Sequence, residues 1–177
     1  SLLIGTSTAL ATYVSGAGSN TLVFTTPIAS GQTDTDGIAI SLNALALNGA
    51  VLTDTSGNAA LLTSSAVASN ASYKVDTTAP ILKTMVFDKS SLNAGETATI
   101  TFTFSEDPGN TFEWNGSTGD VTLSNGTLSA ISGTGVTRTA VFTPTASVNA
   151  GTAGISVITG TYQDVAGNNG SAGGTPS

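Results

Sequence analysis

The sequence contains no cysteine and no histidine. Without cysteine there is no disulfide framework, no thiol nucleophile and no thiolate metal site. Without histidine the commonest general base and the commonest transition-metal ligand are both missing. Positive charge is almost as scarce: Lys74, Lys83, Lys89 and Arg138 stand against 11 acidic residues, for a net charge of −7. So few cations cannot collect phosphates, and the carboxylate surplus repels a polyanion, so no nucleic acid is expected as a partner. No apolar run approaches the ~20 residues that cross a bilayer, and no secretory leader is visible, so membrane insertion is not expected either. The sequence does not open on Met and reads as a stretch of something longer.

What the sequence does contain is Thr, Ser, Ala, Gly and Asn. Only 8% of its 177 residues are charged, while 39% are apolar. Disorder needs low hydrophobicity together with high charge, so this chain should fold. Thr and Val favour strands, and Gly and Asn supply turns, so the expected class is all-β. The clearest strand is Thr99–Phe104, where Ile100, Phe102 and Phe104 share one face and Thr the other. Further strands are expected at Ser1–Gly5, Leu10–Val14, Thr21–Thr26, Ile38–Leu47, Arg138–Thr143 and Ile155–Tyr162. Asn48-Gly49 and Asn125-Gly126 carry tight-turn signals.

Near the middle, Tyr73-Lys-Val-Asp-Thr-Thr-Ala-Pro80 reads as a strand end followed by a stiff connector. Thr77 and Thr78 are β-branched, and Pro80 fixes its own φ and holds Ala79 extended. The expected organisation is a first β-sandwich unit over 1–76, a linker over 77–80 and a second unit over 81–177. Thr21–Asn58 and Thr137–Asn168 share one order: strand, Gly-containing loop, Gly-Ile strand, then Asp-x-x-Gly-Asn. Two copies of one plan beside a proline linker argue for tandem β-sandwiches.

These residues resemble the bacterial immunoglobulin-like repeats of giant surface adhesins and motility proteins. Val75-Asp-Thr-Thr-Ala-Pro80 is similar to the inter-repeat signature of that group. Thr101-Phe-Thr-Phe-Ser-Glu106 and Asp164–Asn168 match positions typical of the second unit. Ala11-Thr-Tyr13 and Asp34-Thr-Asp-Gly-Ile38 are closer to the repeats of cyanobacterial swimming surface proteins. The resemblance implies two tandem immunoglobulin-like β-sandwiches and an extracellular, cell-surface address, which an absence of cysteine suits. It also implies a spacer or stalk, often calcium-stiffened, rather than an enzyme. The first unit is expected to lack its opening strands and the second, ending in Gly-rich Asn169–Ser177, its closing strand. Neighbouring repeats, or neighbouring subunits of a homopolymer, would then be the partners. An incomplete sandwich could take a donated strand, so a filament or sheath subunit is the rival reading.

Strand order in such a sandwich gives the carboxylates a destination. Asp76 lies at the start of the second unit, Glu106 and Asp107 end its second strand, and Asp164 follows its sixth. All are expected at one pole, with Asp34 and Asp36 at the adjoining pole of the first unit. Two like charges ~4 Å apart repel by ~4 kcal/mol at an effective dielectric near 20. Ca²⁺ would offset that, because it accepts about 6–8 oxygen ligands, carboxylate and carbonyl alike, where Mg²⁺ demands a tighter octahedron. The same Asp residues are also ordinary turn chemistry, capping backbone donors. Asp54 is expected at the far pole of the first unit, and Asp88, Glu96, Glu113 and Asp120 as solvated surface charges.

Glu106 and Asp107 do not make a glycosidase pair, since adjacent strand residues point to opposite faces. Four Asn-x-Ser/Thr sequons begin at Asn70, Asn115, Asn125 and Asn169, in a composition that produces such matches by chance. Trp114 could stack on a sugar if exposed, making a carbohydrate-binding module the third reading, but a lone Trp in a sandwich belongs in its core.

Overall fold

The computed structural model describes residues 1–146, 151–152 and 154–171. The chain divides into two compact units, Ser1–Thr78 and Ala79–Ser177. Among the described residues every regular element is a strand, and the strands form several antiparallel sheets.

The first unit carries seven short strands: β1 (Leu2–Ile4), β2 (Ser7–Ala9), β3 (Thr12–Ser15), β4 (Val23–Thr25), β5 (Thr33–Asp34), β6 (Ala39–Ile40) and β7 (Val75–Asp76). β1 is the centre of a three-stranded sheet, with Leu2 opposite both Ala9 of β2 and Ile40 of β6. β3 and β4 form a hairpin in which the rings of Tyr13 and Phe24 meet edge to face at 5.8 Å. β5 pairs with β7, setting Thr33 against Asp76 and Asp34 against Val75. The long strand expected over Ile38–Leu47 is confined to Ala39–Ile40. Asn43 and Asn48 adopt left-handed φ values of 52° and 49°, which break an extended run. Ile4 and Val75 are the unit's buried apolar side chains, whereas Leu10, Tyr13, Val51 and Leu61 are exposed. Strands of two to four residues cannot hold enough side chains on one face to build a larger core.

Among its described residues the second unit has six strands: β8 (Leu82–Phe87), β9 (Ala98–Phe104), β10 (Val121–Ser124), β11 (Gly126–Leu128), β12 (Thr137–Pro144) and β13 (Gly154–Val157). They make two layers. The larger sheet runs β11-β12-β9-β8 and the smaller pairs β10 with β13. β9 lies at the centre of the larger sheet, and its residues alternate between buried and half-buried along the whole strand. That alternation is period 2 made physical: Ala98, Ile100, Phe102 and Phe104 face inward and Thr99, Thr101 and Thr103 outward.

Between the layers lies one continuous core. Ile100, Phe102 and Phe104 of β9, Met85 of β8 and Ala140 and Phe142 of β12 meet Val121, Ile155 and Val157 of the smaller sheet. Phe112 and Tyr162 close one end, with Phe104 4.8 Å from Phe112 and 5.6 Å from Tyr162, both edge to face. Such aromatic pairs are each worth about 0.5–1.5 kcal/mol beyond the area they bury. The strand expected to run on to Tyr162 stops at Val157; Ile158 still donates its amide to the Asp120 carbonyl, and the chain then turns at Gly160, with φ 78°. Tyr162 therefore enters the core from a loop, fully buried, its hydroxyl donating to the Ser171 carbonyl at 3.2 Å. The C-terminal stretch from residue 172 onward, where a closing strand was expected to be absent, lies outside the described residues.

Candidate metal centre

The connector is held at each end by its own unit. In the first unit, Thr77 Oγ1 accepts the Gly31 amide at 2.9 Å and donates to the Gln32 carbonyl at 3.0 Å. The Thr78 amide bonds back to Asp76 Oδ1 at 2.9 Å, a short Asx turn leading into the proline. In the second unit, Pro80 is buried, and Ile81 exchanges hydrogen bonds with Ser105.

Of the expected ligands, Glu106 and Asp164 come together within the second unit, one oxygen of each lying within 4.8 Å of the other. Asp76, Glu106 and Asp164 are each delivered by a different piece of local structure. Asp76 ends β7, Glu106 follows β9 by two residues, and Asp164 opens the loop after Tyr162. Asp76 is exposed, Glu106 half-buried and Asp164 buried. Asp164 is fixed by its own turn: Oδ1 accepts the Asn168 amide at 2.9 Å and Oδ2 the Asn168 side-chain amide at 2.8 Å.

The first unit repeats that turn. Asp54 Oδ1 accepts the Ser56 and Asn58 amides, both at 2.8 Å, and Oδ2 accepts Asn58 Nδ2 at 2.7 Å. The Asn58 side chain, with backbone amides added, holds the Asp54 carboxyl below the usual carboxylate range. Asp-x-x-Gly-Asn is thus one hydrogen-bonded object built twice, and its turn-capping role is present at both sites.

The other expected ligands have different surroundings. Asp107 points to Arg138, whose Nη2 lies 2.9 Å from Asp107 Oδ1 and also donates to the Gly109 carbonyl at 2.9 Å. Asp107 Oδ1 further accepts the Gly109 amide at 3.0 Å. Asp34 is buried in the first unit, its two oxygens taking the Gly5 amide at 2.8 Å and the Gly37 amide at 2.7 Å. The Gly5 bond, reinforced by Gly37, holds its carboxyl low against the opposing effect of burial. Asp36 is exposed beside it.

Two details depart from expectation. Asp120 is not a solvated surface charge: it is buried, and its Oδ2 accepts the Glu113 amide at 2.7 Å. Arg138 carries more structure than sequence reasoning assigned it. Its place in the alternation of β12, in phase with Ala140 and Phe142, was the available signal that it points inward. Trp114 is buried, its indole N–H donating to the Leu128 carbonyl at 3.2 Å, so it offers no platform for a sugar.

Residues 76–177 match the family described as bacterial Ig-like domain. The match spans more than half of the chain, and the chain belongs to that family. The matched span begins at Asp76 and also includes Glu106 and Asp164. No curated protein and no solved structure matches the chain. Domains of this family are commonly found in surface proteins and are typically non-enzymatic. Among the described residues no helix is long and apolar enough to cross a membrane.

Proposed function

We propose that the chain is a spacer segment of a large secreted bacterial cell-surface protein, an adhesin or a motility protein, stiffened by Ca²⁺. The observation that carries the calcium reading is the meeting of Glu106 and Asp164, from two separate segments of the second unit, to which the reading adds Asp76 of the connector as a third ligand. Ca²⁺ holds its oxygens at about 2.3–2.6 Å, so two ligands of one ion stand at most ~5 Å apart, and the separation of Glu106 and Asp164, within 4.8 Å, fits. The donors also fit: hard carboxylate oxygens, with no nitrogen and no sulfur. Asp164, already oriented by Asn168, would supply the fixed arm, and Asp76 would supply the arm carried by the connector. The cation would offset the mutual repulsion of the three carboxylates and restrict the Val75–Pro80 stretch. Neighbouring repeats of the same protein are the partners this reading calls for.

The test is thermal unfolding of the full chain, read by fluorescence of its single Trp, with calcium and then with a chelator. Calcium at 100 times its dissociation constant should add about 2.7 kcal/mol, which Glu106→Gln should largely remove. Small-angle scattering on the same samples tests the spacer role, with a narrower distribution of end-to-end lengths expected in calcium. Identical melting in calcium and chelator would refute the metal site, and unchanged lengths would refute the stiffening.

A further inference from the structure

The four sequons are chemically alike but structurally unlike, and the difference selects one of them. Transfer of a sugar to asparagine needs an accessible loop, a carboxamide nitrogen that can leave its surroundings, and a chain that can enter a transferase groove. Asn125 fails on the nitrogen: Nδ2 donates to the Thr152 carbonyl at 2.7 Å, and Thr127 is committed to β11 opposite Thr143. Asn115 is closed on itself, with Oδ1 taking the Ser117 and Thr118 amides and Nδ2 donating to Thr118 Oγ1 at 3.1 Å. At the fourth sequon, Gly170 packs against the buried Tyr162 so closely that a Cβ would lie 2.0 Å from a ring carbon. There Ser171 donates its amide to the Pro80 carbonyl and Asn169 Oδ1 accepts Gln163 Nε2 at 2.7 Å, so that tripeptide is part of the fold.

Asn70 meets the requirements of an accessible loop and of a carboxamide nitrogen that can leave its surroundings. Asn70, Ala71, Ser72 and Tyr73 are exposed. Asn70 Oδ1 accepts the Ser72 amide at 3.0 Å, a turn that folds the third sequon residue back beside the carboxamide. Among the described residues nothing accepts a hydrogen bond from its Nδ2. The backbone of this tripeptide pairs with no strand; it closes the turn through Tyr73 N to Asn70 O at 2.8 Å, and the Asn70 carbonyl rests on Gly37, where a Cβ would lie 1.8 Å from it.

We propose that Asn70 is an asparagine-linked glycosylation site, with a nucleotide-activated hexose as the donor class. In the step, Asn70 Nδ2 bonds to the anomeric carbon and the bond from that carbon to the phosphate oxygen breaks. The nucleoside diphosphate leaves with the electron pair, and the amide proton passes to a base of the transferase. A glycan there adds a bulky hydrated group to the first unit without disturbing a strand.

The experiment incubates the folded full chain with UDP-glucose and a soluble asparagine N-glucosyltransferase, then maps all four sequons by mass spectrometry. One hexose is expected on Asn70 and none on Asn115, Asn125 or Asn169, with Ser72→Ala abolishing the addition. The four sequences as free peptides should lose that selectivity, because the fold imposes it. The proposal is overturned if folded Asn70 stays unmodified, if the other three accept hexose as readily, or if the peptides show the same preference.

Discussion

Replacing Asp107 with Asn isolates what that carboxylate does. The Arg138 side chain is 5% exposed and the Asp107 side chain 50%, so a nearly buried cation leans on a half-solvated anion. A charge-assisted hydrogen bond contributes about 1.5–3 kcal/mol when enclosed. Solvent reaches Asp107, so that figure is cut to about 1–2 kcal/mol here. The Gly109, Gly135 and Thr137 carbonyls that also accept from the guanidinium stay in place, and Asn can still accept from Arg138 and the Gly109 amide. The second unit has about 100 residues, so a loss of this size should lower its melting temperature by roughly 4–16 °C. Trp114 lies in that unit's core and is the only Trp, so urea titration followed by its fluorescence reads the unit directly. The midpoint should fall with the slope unchanged. Any calcium response should survive in Asp107→Asn and vanish in Glu106→Gln. A cost below about 0.5 kcal/mol would refute the anchoring role, placing the pair among ordinary surface ion pairs. Loss of the calcium response in Asp107→Asn would instead make Asp107 a ligand.

Two further outcomes follow from the packing. Phe102→Ala, at a fully buried position touching Phe112 at 5.5 Å, should cost about 3–5 kcal/mol and show as a large fall in the same urea midpoint. In the first unit, the lowered folded-state pKa of Asp34 means its stabilisation is present above the unfolded value, near the reference 3.8, and is lost as pH falls through the folded value. The Gly5 and Gly37 amide protons, followed by NMR, should therefore shift below the ordinary Asp range, and in Asp34→Asn that titration should be gone. A midpoint at or above the ordinary value would contradict the hydrogen bonds assigned to Asp34.

The second unit was legible where its pattern is local. β9 is extended and two-faced because Thr and large apolar residues alternate without a break, and no partner strand is needed to read that. Asp54 and Asp164 were legible as turn residues for the same reason, since each turn closes within five residues. Ile38–Leu47 misled because its apolar residues keep strand phase while Asn43 and Asn48 bend the backbone out of it. Asp120 was misread because its burial depends on where Glu113 and Ile158 come to lie, and nothing within a few residues of it reports that.

The sequence by itself determined an all-β chain of Thr-rich strands and Gly/Asn turns, free of thiol and imidazole chemistry and divided near a proline connector. These are properties of dihedral preference and side-chain chemistry, which act over a few residues. Only the tertiary structure decided which carboxylates meet. Six acids were candidates; Glu106 and Asp164 came together within the second unit, Asp107 was drawn to Arg138 and Asp34 to the Gly5 and Gly37 amides. The physical reason is that these partners are brought together by sheet pairing and loop closure, many of them across tens of residues. That pairing is settled by burial of the whole core and not by the charges themselves.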